Sequence, residues 1–115
     1  MKNLNKKIAE VLEAQGYIVL SIEKQGGQHI AELETDSPAG EDVIVDVWFD
    51  GTNKGFISAF YQYAIDFDPD EHAEGWIECR GKGGCPSSIR VLIDDADAIE
   101  KSLMETAAKL DAIKL

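Results

Sequence analysis

The sequence predicts an α+β fold of two layers, in which helices pack on one face of a small antiparallel sheet. Apolar residues recur at helical spacing at the start of the chain and through its second half. Alternating residues fill the segment between, and glycine-containing turns divide that segment. Because the helical and strand patterns are segregated along the chain, we expect the order α-β-β-β-α-α-α. A length of 115 residues fits a single domain over residues 1–115.

The first predicted element is a helix. Asn3 is placed to cap its beginning, and Gly16 is placed to end it. Apolar residues at positions i, i+4, i+7 and i+8 form one stripe between them, namely Leu4, Ile8, Val11 and Leu12.

A first strand is predicted over residues 17–24. Its alternation places Ile18, Leu20 and Ile22 on one face. The other face would carry Tyr17, Val19 and Ser21. The turn at residues 25–28 contains two adjacent glycines, which predicts a β-hairpin.

The return strand covers residues 29–35, and the turn at residues 37–40 leads into a third strand over residues 42–49. This third strand has the clearest alternation of the chain, and three consecutive strands with short turns form an antiparallel meander. One face of the third strand would carry Val43, Val45, Val47 and Phe49.

Two helices are predicted next. The first covers roughly residues 53–66, where Phe56, Phe60 and Phe67 recur at helical spacing and would pack on the valines of the third strand. The second begins after Asp68, which can accept the free N–H groups of a helix start, and runs to about residue 78.

The last helical segment begins at residues 85–88 and carries a long apolar stripe. Residues 94–97 could cap a new helix inside it, so the sequence leaves one long helix and two shorter helices as alternatives. The stripe consists of Ile89, Leu92, Ile93, Ala96, Ile99, Leu103, Ala107 and Leu110.

The net charge of −11 arises in the middle of the chain. Thirteen carboxylates and one cation, Lys54, lie between Glu32 and Glu78, whereas both ends are near neutral. Such a field repels nucleic acid and attracts a basic protein surface. We therefore expect a basic protein as partner and no direct binding to nucleic acid.

No apolar run approaches the roughly 18–20 residues that span a bilayer, and the first residues lead into an amphipathic segment rather than a signal peptide. We expect a cytosolic location and no membrane association. Because cytosolic proteins keep their cysteines reduced, Cys79 and Cys85 are expected to be thiols.

Asp66, Asp68 and Asp70 have the alternate spacing of a calcium loop. However, Glu71 replaces the required glycine and Ile77 replaces the bidentate glutamate. The sequence therefore predicts a helix cap here and no metal site.

Candidate catalytic groups are few. His29 and His72 are expected to be ordinary surface or rim residues, and His72 would lie two helical turns from Cys79, roughly 10 Å, too far for direct proton transfer. The segment 80–88, with Arg90, could hold an anion at a helix start, but a plain capped connection is favoured. We expect neither enzymatic activity nor a cofactor, because the sequence holds no catalytic constellation or dinucleotide fingerprint.

Three large aromatic side chains have different predicted positions. Trp48 points away from the valine face, so it lies either on a second, partly buried face or at an exposed anchor. Tyr61 has the same two alternatives, and Trp76 is favoured as a core residue.

Five short motifs stand out in the second half of the chain: Val47-Trp48-Phe49-Asp50-Gly51, Phe67-Asp68-Pro69-Asp70-Glu71-His72, Trp76-Ile77, Pro86-Ser87-Ser88-Ile89-Arg90 and Asp94-Asp95-Ala96. They resemble a domain of phages and conjugative elements that is also found inside large polyvalent proteins. The resemblance covers about residues 43–110, and it implies a mobile-element origin.

The order of elements and the motif Phe56-Ile57-Ser58-Ala59-Phe60 resemble the small acidic type II-A anti-CRISPR proteins that inhibit Cas9. This resemblance covers roughly residues 3–75. In that family, the turn between strands two and three and the acidic run after the second helix occupy the Cas9 surface that reads the PAM, as a nucleic-acid mimic. By position, the resemblance implies partner-binding roles for Asp36, Gly40, Glu41, Asp42, Asp70 and Glu71.

This chain departs from that pattern by Ser37-Pro38-Ala39 in the turn, by Pro69 in the acidic run and by a longer C-terminus. The resemblances imply an anti-defence inhibitor, encoded by a mobile element, that acts on a Cas9-like host protein in the bacterial cytoplasm. The alternative is a non-catalytic accessory module that self-associates as a homodimer, with its charge serving solubility.

Overall fold

The computed structural model of the chain describes residues 4–78, 85 and 88–115. It confirms the predicted α+β architecture, with an N-terminal helix, a three-stranded antiparallel sheet and helices after it. The described elements are α1 (Lys6–Ala14), β1 (Ile18–Gln25), β2 (Gln28–Asp36), β3 (Asp42–Phe49), α2 (Asn53–Asp66), α3 (Pro69–Ile77) and α4 (Ile89–Asp111).

The cap of α1 is Asn5 and not the predicted Asn3, which lies outside the described residues. The Asn5 side chain accepts a hydrogen bond from the Lys7 backbone N–H at 2.8 Å. The Asn5 backbone N–H donates to Oδ1 of Asn53 at 3.0 Å, so the beginning of α1 is tied to the beginning of α2. This second bond joins residues far apart in the chain, which rules for local capping do not consider. Gly16 follows the helix with a φ of 86°, as its predicted role requires.

The three strands lie in the order β1-β2-β3. Gly26 and Gly27 form the predicted two-residue turn, and the φ of 62° at Gly26 lies in the left-handed region that favours glycine. The pairing of β2 with β3 runs without a break along both strands. Because directly paired residues share a face, this register fixes which side chains meet on each side of the sheet.

β1 departs from the predicted alternation. Its pairing with β2 shifts register between Val19 and Ser21, and such an irregularity exchanges the two faces beyond it. Ile22 therefore belongs to the buried face, whereas Ile18 belongs to the opposite face. The prediction that Ile18 and Ile22 share a face with Leu20 is wrong, and so is the grouping of Val19 with Ser21. An edge strand accepts a bulge that its residue pattern does not reveal.

The core lies between the sheet and the helices α1, α2 and α4. Phe56 and Phe60 of α2 are fully buried, and the Phe56 ring meets the Phe49 ring of β3 edge to face, with 5.4 Å between centroids. This confirms the predicted packing of these two residues, while Phe67 is only half-buried at the end of α2. The buried face of the sheet consists of Ala31, Leu33, Val43, Val45, Val47 and Phe49.

α3 begins as predicted. Oδ1 of Asp68 accepts hydrogen bonds from the backbone N–H groups of Asp70 and Glu71 at 3.0 and 3.3 Å, and Pro69 is the first helical residue.

α4 is one continuous helix, which decides between the two alternatives. Asp95 does not cap a new helix, because its Oδ1 accepts a hydrogen bond from the Ala39 backbone N–H in the β2–β3 turn, at 2.8 Å. Six of the eight residues of the predicted stripe are buried, namely Leu92, Ala96, Ile99, Leu103, Ala107 and Leu110. Ile89 and Ile93 are exposed, so the prediction is wrong for these two. None of the described helices is long and apolar enough to cross a membrane.

Four ring side chains discussed in the sequence analysis are exposed or half-buried. Trp48 and Tyr61, whose positions the sequence left open, are 48% and 44% exposed. Trp76 is half-buried rather than in the core, because it faces a groove between α2 and α3. His29, predicted as a surface or rim residue, is also half-buried, with its ring 5.8 Å from that of Phe49.

Replacing Phe60 with alanine should lower the free energy of unfolding by about 3–5 kcal/mol, because the lost ring leaves a cavity in the core. Urea unfolding followed by circular dichroism measures the change. Tyr61→Ala, on the exposed side of the same helix, is the control and should cost much less. Equal losses in the two variants would show that Phe60 is not a core residue.

The stability should also fall at alkaline pH. Burial raises the pKa of the Tyr17 and Tyr63 hydroxyls above the usual 10.0, and the charge of Asp46 raises that of Tyr63 further. Below the unfolded-state pKa, tyrosine is protonated in both states and the full stability is present. As the pH rises through the folded-state pKa values, that contribution is lost, because the unfolded chain releases its protons first.

Urea unfolding between about pH 8 and 11 measures this slope. Tyr17→Phe and Tyr63→Phe should each make the slope shallower. A slope unchanged in both variants would contradict the assignment of these two hydroxyls.

Candidate functional site

Helices pack on one face of the sheet, and the opposite face carries a concentration of carboxylates. The register of β2 with β3 pairs Glu32 with Asp46 and Asp36 with Asp42, and all four side chains belong to this face. Within the described strands, no position on this face is a lysine or an arginine. We call this surface the acidic face, and its carboxylates are Glu23, Glu32, Glu34, Asp36, Asp42 and Asp46.

The carboxylates are most crowded where β2 ends and β3 begins. One carboxylate oxygen from each of Glu34, Asp36 and Asp42 lies within 4.8 Å of the other two. Like charges at this separation repel, which raises the free energy of the isolated protein. A hard cation, or a cationic group from another molecule, would relieve this repulsion.

The acidic face also carries exposed apolar side chains. Ile18, Ile44 and Trp48 are 63%, 45% and 48% exposed, and the strand pairing places them on the same side as the carboxylates. Tryptophan at a surface position contributes much of the binding energy in many protein interfaces. The face therefore combines charge with apolar contact area.

The β2–β3 turn is held in a defined shape by hydrogen bonds. Oγ of Ser37 accepts from the Glu41 backbone N–H at 2.9 Å, and the Ser37 N–H donates to the Glu41 carbonyl at 2.9 Å. Gly40 has a φ of 88°, so glycine is needed for the backbone path of this turn. The bond from Ala39 to Asp95 anchors the turn to α4.

Glu41 joins this turn to α3. Its Oε2 lies 2.9 Å from Nε2 of His72, and the two side chains are 10% and 24% exposed. Asp70 and Glu71, both exposed in the first turn of α3, therefore lie beside the turn. The two segments that the anti-CRISPR resemblance implied are thus adjacent, but the Glu41 carboxylate contacts His72 and is mostly shielded from solvent.

A groove of about 580 Å³ lies between α2 and α3, and we call it the α2–α3 groove. Half-buried aromatic rings and exposed carboxylates form its walls. The rings of Phe67 and His72 are 5.3 Å apart between centroids, and the contact of His72 with Glu41 links the groove to the turn. The groove is lined by Tyr63, Asp66, Phe67, Asp68, Glu71, His72, Gly75 and Trp76.

The groove and the acidic face adjoin at β3, which is an edge strand. Asp46 belongs to the acidic face, yet its negative charge raises the pKa of Tyr63 in the groove, after the larger effect of burial. Exposed carboxylates also lie on the two helices, among them Asp66 of α2 and Glu71 of α3.

Gly75 is a feature of the groove that neither packing nor backbone conformation requires. Its φ is not positive, and a Cβ placed there would meet no atom within 4 Å. Glycine inside a helix costs about 0.5–1 kcal/mol relative to alanine. Because Gly75 lines the groove, its missing side chain leaves more of the groove open.

Sequence reasoning found only part of this site. Asp36 and Asp42 were implied by the resemblance, whereas Glu23, Glu32, Glu34 and Asp46 were not singled out. The alternation of carboxylates along β2 and β3 could have indicated them, because residues two apart on a strand share a face. The groove was not predicted, since it depends on the angle between two helices.

Two expectations fall outside the described residues. Cys79 is not described, so the thiol state of Cys79 and Cys85 stays a prediction. Most of the anion-binding candidate also lies there, namely residues 80–84, 86 and 87. Comparisons with protein families, with curated proteins and with solved structures found no match to this chain.

Replacing Asp95 with alanine should lower the free energy of unfolding by about 1.5–3 kcal/mol, because the Ala39 N–H loses a charged and buried acceptor. Hydrogen exchange at the Ala39 amide should become faster as the turn opens. Urea unfolding and amide exchange measured by NMR test both effects. Asp97→Ala, exposed on the same helix, is the control. Slow exchange at Ala39 in the Asp95 variant would contradict the anchoring role.

Proposed function

We propose that this chain is a non-catalytic inhibitor, encoded by a mobile element, that blocks a nucleic-acid-binding defence protein of the bacterial cytoplasm. The acidic face and the adjacent start of α3 would occupy the basic groove in which that protein holds nucleic acid. A Cas9-like effector is the first candidate. The observation that carries the proposal is the acidic face itself, where six carboxylates share one side of the sheet without a lysine or arginine among the described strand positions.

The spacing of the charges supports this proposal. Glu32, Glu34 and Asp36 alternate along β2, which separates neighbours by about 6–7 Å, and β3 places a second row about 5 Å away. Duplex DNA carries one phosphate per roughly 3.4 Å of axis on each strand. Two close rows of carboxylates therefore give a charge density comparable to that of a nucleic-acid backbone.

The energetics of the carboxylate cluster point in the same direction. Repulsion among Glu34, Asp36 and Asp42 is unfavourable in the isolated protein and is removed when cationic side chains approach. The free energy of binding to a basic groove is therefore more favourable for this cluster than for three carboxylates far apart. The exposed Trp48 and Ile44 supply apolar area on the same face, which charge alone does not provide.

The residues implied by the anti-CRISPR resemblance would have distinct roles. Asp36 and Asp42 belong to the acidic face, and Asp70 and Glu71 extend it along α3. Gly40 would determine the path of the turn between them. Glu41 would position α3 through its contact with His72 rather than meet the partner directly.

Self-association is the second candidate function, and the exposed apolar residues of the acidic face favour it. Ile18, Ile44 and Trp48 could pack against the same face of a second copy. That arrangement would also bring two acidic faces together, so it should strengthen as salt screens their repulsion. Binding to a basic partner should weaken with salt instead.

Charge reversal tests the proposed inhibitor. Asp42→Lys with Asp46→Lys should weaken association with Cas9 by about tenfold or more, mainly through a slower association rate and most strongly at low salt. Asp70→Lys with Glu71→Lys should have a similar effect. The control is Glu10→Lys with Glu13→Lys, which makes the same charge change on the exposed side of α1.

Cleavage of a target DNA by several Cas9 orthologues, with increasing protein, measures inhibition, and surface plasmon resonance at two salt concentrations measures binding. Inhibition of no orthologue would remove Cas9 as the partner. Equal effects of all three double variants would remove the acidic face as the mechanism. Light scattering of the wild type at the same salt concentrations reports self-association.

A further inference from the structure

We propose that the α2–α3 groove is a binding site for an arginine side chain. This inference deepens the proposed function. It rests on that function for the identity of the protein that presents the arginine. The groove adjoins the acidic face at β3, but its chemistry is more specific than a field of negative charge. It combines aromatic surfaces, carboxylates and open space in one cavity.

The aromatic walls offer surfaces for a flat cation. Tyr63 lies on α2, Phe67 directly follows that helix, and His72 and Trp76 lie on α3. Each of the four is half-buried, so part of the ring stays accessible. A guanidinium group is planar, weakly hydrated and stacks on aromatic faces. The rings of Phe67 and His72 are 5.3 Å apart between centroids and tilted by 45°, so they contact each other in the wall of the groove.

The carboxylates supply the charge and the acceptors. Asp66, Asp68 and Glu71 line the groove, and no lysine or arginine is among its described lining residues. A guanidinium carries five N–H donors in a fixed fork and can bind more than one carboxylate oxygen at once. An ammonium group has no planar surface to stack, so these neighbours favour arginine over lysine.

The groove is built where α2 ends and α3 begins. Tyr63 and Asp66 lie on the last turn of α2, Phe67 and Asp68 link the two helices, and Glu71 and His72 lie near the beginning of α3. Gly75 and Trp76 lie one turn further along α3. The groove is open to solvent, and its volume of about 580 Å³ lies within the range of small-molecule sites.

Gly75 is a further feature of the groove that neither packing nor backbone conformation explains. Alanine could occupy its place without contact to any other atom within 4 Å, and its backbone does not require glycine. A side chain at position 75 would, however, project from the groove face of α3. The glycine weakens the helix, and in return it keeps that part of the groove accessible.

A titration with a small probe tests this site apart from the larger interface. N-acetyl-arginine amide is added to the full-length, ¹⁵N-labelled protein, and NMR records the backbone amides and the two tryptophan indole signals. The Trp76 indole and the amides of His72 and Gly75 should shift saturably, with a Kd of about 1–10 mM. Trp48 lies on the acidic face, outside the groove, so its indole signal is an internal control.

Matched variants locate the site. Glu71→Gln should weaken binding of the arginine probe by at least about threefold, because a hydrogen bond between charged groups is lost. Glu74→Gln removes the same charge from an exposed position of the same helix that does not line the groove, and it should leave the affinity unchanged. Gly75→Ala should raise the melting temperature yet weaken probe binding, which a folding defect cannot explain.

The outcomes separate this inference from the proposed function. The corresponding lysine probe and tetramethylammonium should each bind at least about threefold more weakly than arginine. Equal binding of the three probes, equal effects of Glu71→Gln and Glu74→Gln, or no saturation up to about 50 mM would overturn the arginine site. Glu23→Lys with Glu32→Lys, on the part of the acidic face away from β3, should leave probe binding nearly unchanged even where it weakens inhibition. If this protein showed no affinity for the arginine probe but still bound a defence protein, the arginine site would be wrong and the proposed function would be supported.

Discussion

Phe56 and Phe60 of α2 pack against the apolar side of β3, and this contact determines the rest of the molecule. A sheet with one apolar face must bury that face against another layer. Once α2 and α4 cover the valine side, every alternate residue of β2 and β3 must point to the opposite side. The same contact that builds the core therefore also displays the acidic face.

The charge distribution follows from this one-sided packing. Carboxylates on strand residues that point away from the core stay hydrated, so their number is limited by mutual repulsion and not by burial. Glu34, Asp36 and Asp42 approach within 4.8 Å despite that repulsion. Two contacts hold the neighbouring turn in place, namely Asp95 with the Ala39 N–H and Glu41 with His72. The most crowded charges thus lie next to one of the best-anchored turns.

α3 connects the acidic face with the α2–α3 groove. Its N-terminal turn carries Asp70 and Glu71, and its following turns present His72, Gly75 and Trp76 to the groove. The two surfaces differ in what they recognise: the face presents charge over a wide area, while the groove presents aromatic rings beside carboxylates. A basic protein that presents an arginine near its nucleic-acid groove could use both at once, and specificity would then come from the groove.

The sequence by itself determined the order and type of the elements, because alternation, helical spacing, cap residues such as Asp68 and turn residues such as Gly26 act over a few neighbouring residues. It also located the charge in the middle of the chain. Only the tertiary structure decided that β1 shifts its register, that Asn5 reaches Asn53 and that Trp76 faces a groove. Asp95 shows the reason most directly. Its local pattern indicates a helix cap, but its Oδ1 accepts a hydrogen bond from the backbone N–H of Ala39, 56 residues earlier in the chain. Such a contact exists only once the two segments meet.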